Sequence, residues 1–119
     1  MSDDTATGST FHLTAAEAAA RVTDSATVRS VPLFRHGTLL VKYYAPRGTD
    51  LQTPHTRDEI YVVARGRGVF FDGTSRRPFA PGDLLFAVAG VAHRFEDFSA
   101  DFGTWVVFWG PRGGEAPRP

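Results

Sequence analysis

From Val28 to Phe108 the chain is cut into short apolar runs by turn residues at near-regular spacing. Runs rich in Val, Leu, Phe and Tyr and bounded by Gly, Pro and Asp read as strands, because β-branched and aromatic side chains fit a pleated surface. Strands are expected over Val28 to Phe34, Leu39 to Tyr44, Glu59 to Arg65, Gly68 to Phe71, Arg77 to Phe79, Leu84 to Val88, His93 to Phe98 and Thr104 to Phe108. Arg35-His36-Gly37, Asp72-Gly73 and Pro81-Gly82 supply turns between them. Many short strands with regular turns make an all-β sandwich or barrel. Ten phenylalanines, two tryptophans and three tyrosines suit a sheet protein with a lined cavity.

One helix is expected ahead of the strands. Thr14-Ala15-Ala16-Glu17 is a capping box opening an alanine-rich stretch, so a short helix should run over roughly Ala15 to Val22. Its thin apolar surface places it on the barrel exterior, and Asp24-Ser25 breaks it. A chain of 119 residues is one domain with room for a useful core. Residues 1–12 are expected to be a disordered segment, 13–110 the barrel and 111–119 a flexible Gly- and Pro-rich tail.

Thirteen basic and thirteen acidic residues balance, which gives no electrostatic case for nucleic acid or an anionic membrane. The absence of cysteine excludes disulfides and thiolate metal sites. The acidic start, Met1-Ser2-Asp3-Asp4, is followed by no apolar run, so a cytoplasmic location is expected.

Two segments carry the chemistry. Pro54 to Gly66 holds His55 and Glu59, and Gly82 to Asp97 holds Gly90 and His93. Two histidines and a carboxylate on strand-like sequence suit a divalent first-row metal. Glu59 opens a buried-looking strand, where a carboxylate without a partner is costly. A metal, or an arginine such as Arg94, would offset that cost. Alternation puts Glu59, Tyr61 and Val63 on one face of their strand. Asp58 points the other way. His12 and His36 match no pattern, and no nucleophile elbow supports a serine triad.

The two segments resemble the paired motifs of the cupin superfamily. The family's first motif reads G-x5-H-x-H-x3-4-E-x6-G, and His55, Glu59 and Gly66 match its second histidine, carboxylate and closing glycine. Its second motif reads G-x5-P-x-G-x2-H-x3-N. Gly82, Gly90 and His93 fall in register, with Val88 for the proline and Asp97 for the asparagine. The resemblance covers roughly Leu39 to Trp109 and implies a double-stranded β-helix, or jelly-roll barrel, with a short N-terminal helix. It implies one divalent metal, with Fe, Mn, Ni, Zn and Cu undistinguished, held by His55, Glu59 and His93. The family's first histidine falls at Thr53, a poor ligand. Gln52 is the candidate for that place, much as a glutamine ligates zinc in phosphomannose isomerases, which resemble cupins.

The resemblance implies metal-dependent chemistry on a small organic molecule in the barrel, dioxygenase-like first, with isomerase or lyase chemistry as the alternative. Glu59 and Tyr61 are the candidate catalytic residues, Tyr61 to position substrate. A non-catalytic binding barrel, or a vestigial site, is the reading that the lost histidine favours. Apolar residues on both faces of Ile60 to Val63 and Thr104 to Phe108 imply a second covered surface, hence a homodimer.

Overall fold

The computed structural model describes residues 8–23 and 28–116. The expected break at Asp24-Ser25 and the outermost parts of both expected terminal segments lie outside the described residues. Helix α1 spans Ala15–Ala20, two residues shorter than expected. Eight strands follow: β1 Ser30–His36, β2 Leu39–Tyr44, β3 Asp58–Arg65, β4 Gly68–Phe71, β5 Arg76–Phe79, β6 Leu84–Ala87, β7 Arg94–Glu96 and β8 Gly103–Trp109. They form an antiparallel five-stranded sheet, β1-β2-β8-β3-β6, and a three-stranded sheet, β5-β4-β7. This is the all-β jelly-roll architecture expected from the strand pattern, with its one short helix.

Local chemistry explains the corners. The Thr14 hydroxyl accepts from the Glu17 amide at 3.1 Å, and the Glu17 carboxylate accepts from the Thr14 amide at 3.2 Å, closing the capping box. In the β1–β2 hairpin, His36 pairs with Leu39, and Gly37 takes the positive φ of 56° at the first turn position. Between β4 and β5 the Asp72 carboxylate accepts from the Thr74 and Ser75 amides and both hydroxyls. These donors hold its pKa down at about 2.

Register sorts the side chains of the large sheet. One face carries the rows Glu59–Phe108–Leu40 and Tyr61–Val106–Lys42 into the barrel. There Tyr61, Val63, Phe70, Phe79, Phe95, Phe102, Val106 and Phe108 form the core between the sheets. Phe95 sits at its centre, with ring centroids 4.8 Å from Phe102, 4.9 Å from Tyr61 and 5.2 Å from Phe70. Truncating it to alanine should cost about 3–5 kcal/mol.

The other face is half covered. The register slips between Pro32 and Phe34, and Leu33 is the extra residue. This bulge brings Leu33, fully buried, into a second cluster with Tyr43 and Ala18 of α1, edged by Trp105. The helix therefore lies on the barrel exterior. Away from α1, Leu84, Phe86 and Val88 stay 64%, 51% and 54% exposed on β6 and just past its end. Strand β6 is the free edge of its sheet.

Candidate metal centre

Three segments converge on one point inside the barrel: the loop between β2 and β3, strand β3, and the loop before β7. Strand β3 opens with Asp58 and Glu59, so Glu59 enters the interior at the first turn of the pleat and is 1% exposed. Its Oε1 lies 2.7 Å from His93 Nε2. Its Oε2 is buried without a hydrogen-bond partner, 3.9 Å from His55 Nε2. His55 comes from the loop before β3 and His93 from the loop before β7. Gly90 ties the two loops together: its positive φ of 80° shapes the turn, and its amide donates to the His55 carbonyl at 2.8 Å. Gln52 Oε1 stands 3.3 Å from His55 Nε2 and accepts from the Tyr61 hydroxyl at 3.2 Å. The same hydroxyl is 2.8 Å from His93 Nε2. Gln52, His55, Glu59, Tyr61 and His93, singled out in the sequence, thus share one cluster. Thr53 is exposed and lies outside it. Arg94, the rival partner for Glu59, pairs instead with Glu96 at 2.8 Å and stacks over Phe71.

Surrounding groups preset the donors. The Val91 carbonyl, 2.9 Å from His93 Nδ1, can only accept, so the proton sits on Nδ1 and Nε2 faces the cluster. Asp50 does the same for Gln52. It accepts from the Gln52 amide nitrogen at 3.0 Å and from the Gln52 backbone at 3.1 Å. It is itself held by the Phe95 amide at 2.9 Å and by the Tyr44 hydroxyl. With its NH2 engaged by a carboxylate, Gln52 must turn its carbonyl oxygen toward the cluster. Burial pulls the His93 pKa down, but the Glu59 and Val91 hydrogen bonds and the charges of Glu59 and Asp50 outweigh it, and the net shift is upward. Burial lowers the His55 pKa, with Glu59 opposing, so this imidazole is held neutral. Burial, then Glu59, raises the Tyr61 pKa, keeping its hydroxyl protonated.

The donor chemistry fits a first-row divalent ion. Metal–donor bonds of about 2.0–2.2 Å put neighbouring donors of one shell roughly 2.8–3.6 Å apart. The donor separations of 2.7, 3.3 and 3.9 Å bracket that range. The orphaned Glu59 Oε2 is the atom that a cation would satisfy. The cage is not closed as it stands: among the described residues no group of three or more histidines and carboxylates is gathered tightly enough to hold an ion. The gap is on the His55 side, where the ring leans on Gln52 and packs 4.9 Å from Phe108.

Two contributors escaped the sequence. Asp50 lies in a polar loop with no motif position, and only its spacing of two from Gln52 hints at local hydrogen bonding. Asp58, which points away from the Glu59 face, is buried. Its carboxylate accepts from the Ala89 amide at 3.0 Å and the Glu115 amide at 2.9 Å. It thereby joins β3, the Gly90 loop and residues 113–116. The close approach needs glycine at 114, where a Cβ would meet Asp58 Oδ1 at 2.7 Å.

Comparison with solved structures places this architecture. A cupin 2 conserved barrel domain protein from Salinispora arenicola superposes with a TM-score of 0.64, covering 87% of this chain and 90% of that one at 19% identity. A Ralstonia eutropha protein provisionally described as a mannose-6-phosphate isomerase gives 0.55 over 77% of this chain and 94% of its own, at 23% identity. The fold is the barrel shared with these cupin proteins. In sequence, the chain is 41% identical over 63 residues to an uncharacterized protein of Streptomyces coelicolor. That match spans 53% of this chain and 60% of the curated relative. No family model matches the chain. Among the described residues no helix is long and apolar enough to cross a membrane.

Proposed function

We propose that the chain is a metal-binding cupin that acts on a small organic molecule, with dioxygenase-like oxidation as the leading chemistry. The observation that carries it is the buried, unpartnered Glu59 Oε2 between His55 and His93. His55, Glu59 and His93 would hold the ion, with Gln52 Oε1 as the fourth donor in place of the histidine missing at position 53. A bound ion would supply Lewis-acid polarisation or a site for oxygen. The chain's own residues supply the rest. Val91 and Asp50 fix which atoms of His93 and Gln52 face inward. Tyr61, kept protonated, presents an O–H donor beside the ligand set for a substrate oxygen. The phenylalanine core excludes water behind it.

Isomerase chemistry is the second reading, favoured by the Ralstonia eutropha neighbour. Both need the ion, and both differ from a non-catalytic binding barrel in requiring turnover. The deciding experiment is elemental analysis of protein purified without chelator or affinity metal. About one divalent ion per chain is expected, and most of it should be lost in His93→Ala. Equal metal in the variant and the parent would refute the assignment.

A further inference from the structure

Beside His55 the barrel opens into a cavity of about 190 Å³ lined by Leu40, Lys42, His55, Thr56, Arg57 and Phe108. A smaller one of about 60 Å³ adjoins Gln52, Tyr44 and Val106 and shares Lys42, His55 and Phe108. We infer that these joined cavities bind a small substrate through its oxyanion group, a carboxylate or phosphate, recognised by Lys42 and Arg57. The inference rests on the proposed metal centre for its placement beside the reacting atoms.

Lys42 is the one charged residue on β2, and the register points it inward in the row of Tyr61 and Val106. It is half-buried, and among the described residues no hydrogen bond or ion pair engages its ammonium. Burial lowers its pKa, Arg35 adds to that, and only the charge of Glu59 opposes. Glu59 forms no ion pair with Lys42, its Oε1 facing His93 Nε2 instead. An ammonium partly removed from water and left without a close anion is expensive unless something else supplies the charge. Arg57 faces the same cavity from the loop before β3. One of its N–H groups donates to the Thr38 carbonyl, and its guanidinium lies 5.9 Å from the Phe108 ring centroid, which holds it at the rim. Neither cavity is lined by an aspartate or glutamate. The site therefore offers two cations on separate elements, an apolar floor of Phe108 and Leu40, and the proposed ion a few ångströms beyond. That combination matches a compact molecule with one anionic end and an apolar body, and it disfavours a neutral sugar, which would leave both charges unanswered.

Calorimetric titration on chelator-treated and zinc-loaded protein tests this, with a panel of arylcarboxylates, aryl phosphate monoesters and matched neutral amides and phenols. One anionic class should bind, and the carboxylate and phosphate arms tell which. Its neutral isosteres should bind at least tenfold more weakly, and affinity should fall as NaCl rises. Lys42→Met should weaken the anion at least tenfold while metal per chain and melting temperature stay at the parent values, and Lys42→Arg should restore binding. Arg57→Gln provides a second variant at a site outside the core. Equal affinity in parent, Lys42→Met and Arg57→Gln, equal affinity for neutral isosteres, or no anion binding by the parent would each overturn the inference. Metal content is read separately, so Lys42-dependent anion binding in a protein that holds no metal would sink the metal centre and leave this site standing.

Discussion

Glu59 and His93 face each other at 2.7 Å, Oε1 to Nε2, with both side chains almost wholly excluded from water. The pairing is one-sided. His93 has a second partner in the Val91 carbonyl, while Glu59 Oε2 has none. A structural ion pair this deep normally satisfies every lone pair, because desolvation otherwise cancels the attraction. The proposed ion would complete this pair by satisfying the orphaned oxygen.

Glu59→Gln should therefore separate binding from folding. The amide keeps the shape and an acceptor for His93, and it removes the uncompensated charge. Metal content should fall to near zero, while the metal-free variant melts no lower than the metal-free parent. Loss of an essential structural pair would instead cost about 3–5 kcal/mol. A destabilisation of that size in the melting curve would reassign Glu59 to the framework.

Asp50→Asn tests the orientation of Gln52. Asparagine cannot accept from Gln52, Phe95 and Tyr44 together, so the Gln52 amide is free to turn. Metal affinity should drop about tenfold to a hundredfold, the usual effect of losing a group that orients a ligand. Competition titration against a chromophoric chelator reads this directly. Unchanged affinity would remove Gln52 from the ligand set.

The clustered residues proposed as ligands were legible because their chemistry is tied to spacing. His55, Glu59 and His93 stand at motif distances, and Glu59 and Tyr61 share a face by simple alternation. Strand positions were legible for the same reason: β2 and β4 lie at their expected residues, and the others differ by one or two residues at one or both ends. Asp50 and Asp58 were not legible, since their partners lie 45 and 57 residues away in sequence, at Phe95 and Glu115. A loop carboxylate gives no local sign that distant backbone amides will close around it. Lys42 carried a faint sign, a single charge at an inward-phased position of an apolar strand. Gly68 opens β4 where the strand was expected, and a Cβ there would meet the Phe79 ring at 2.7 Å, so close packing selects glycine.

Asp58 should make stability depend on acidity. The Glu115 and Ala89 amides stabilise its ionised form and lower its pKa in the fold. A carboxylate with a depressed folded pKa contributes stability that is fully present above its unfolded pKa, about 3.9, and is lost as pH falls through the folded value. Asp58→Asn should lower the melting temperature by a few degrees at pH 7, and the gap to the parent should close as pH drops below about 4. A gap that is constant from pH 7 to pH 3 would show that the carboxylate charge is not what holds the Gly90 loop.

We propose that a second copy of this chain covers the outer face of β6. Leu84, Phe86 and Val88 alternate along a free edge beside Ile60, Val62 and Trp109, on the half of the sheet that α1 leaves open. Light scattering after size exclusion should give about twice the chain mass of 13.0 kDa. Phe86→Glu should shift it to the monomer by burying a charge in the interface. A monomeric parent at micromolar concentration would refute the dimer.

Tyr61→Phe decides between an enzyme and a binding barrel. The change removes one oxygen and keeps the ring contacts with Phe70 and Phe95. Fold and metal content should therefore stay at parental values, because Tyr61 donates to Gln52 and touches His93 Nε2 but is not among the proposed ligands. Its hydroxyl is buried and kept protonated, so it remains a proton donor across the working range. If the barrel catalyses, that donor, next to His93 and Gln52, is the group proposed to hold or protonate a substrate oxygen at the ligand set. Iron-loaded parent should then consume oxygen with an enolisable or phenolic acid, and Tyr61→Phe should slow this by about a hundredfold, the low end for loss of a positioned acid–base group. An oxygen electrode with a panel of such acids makes the measurement. Equal rates in parent and variant would return Tyr61 to the packing of the core. If no compound turns over with any metal, yet anionic compounds raise the melting temperature of both proteins, the barrel binds without catalysing, and the threonine at position 53 marks where catalysis was lost.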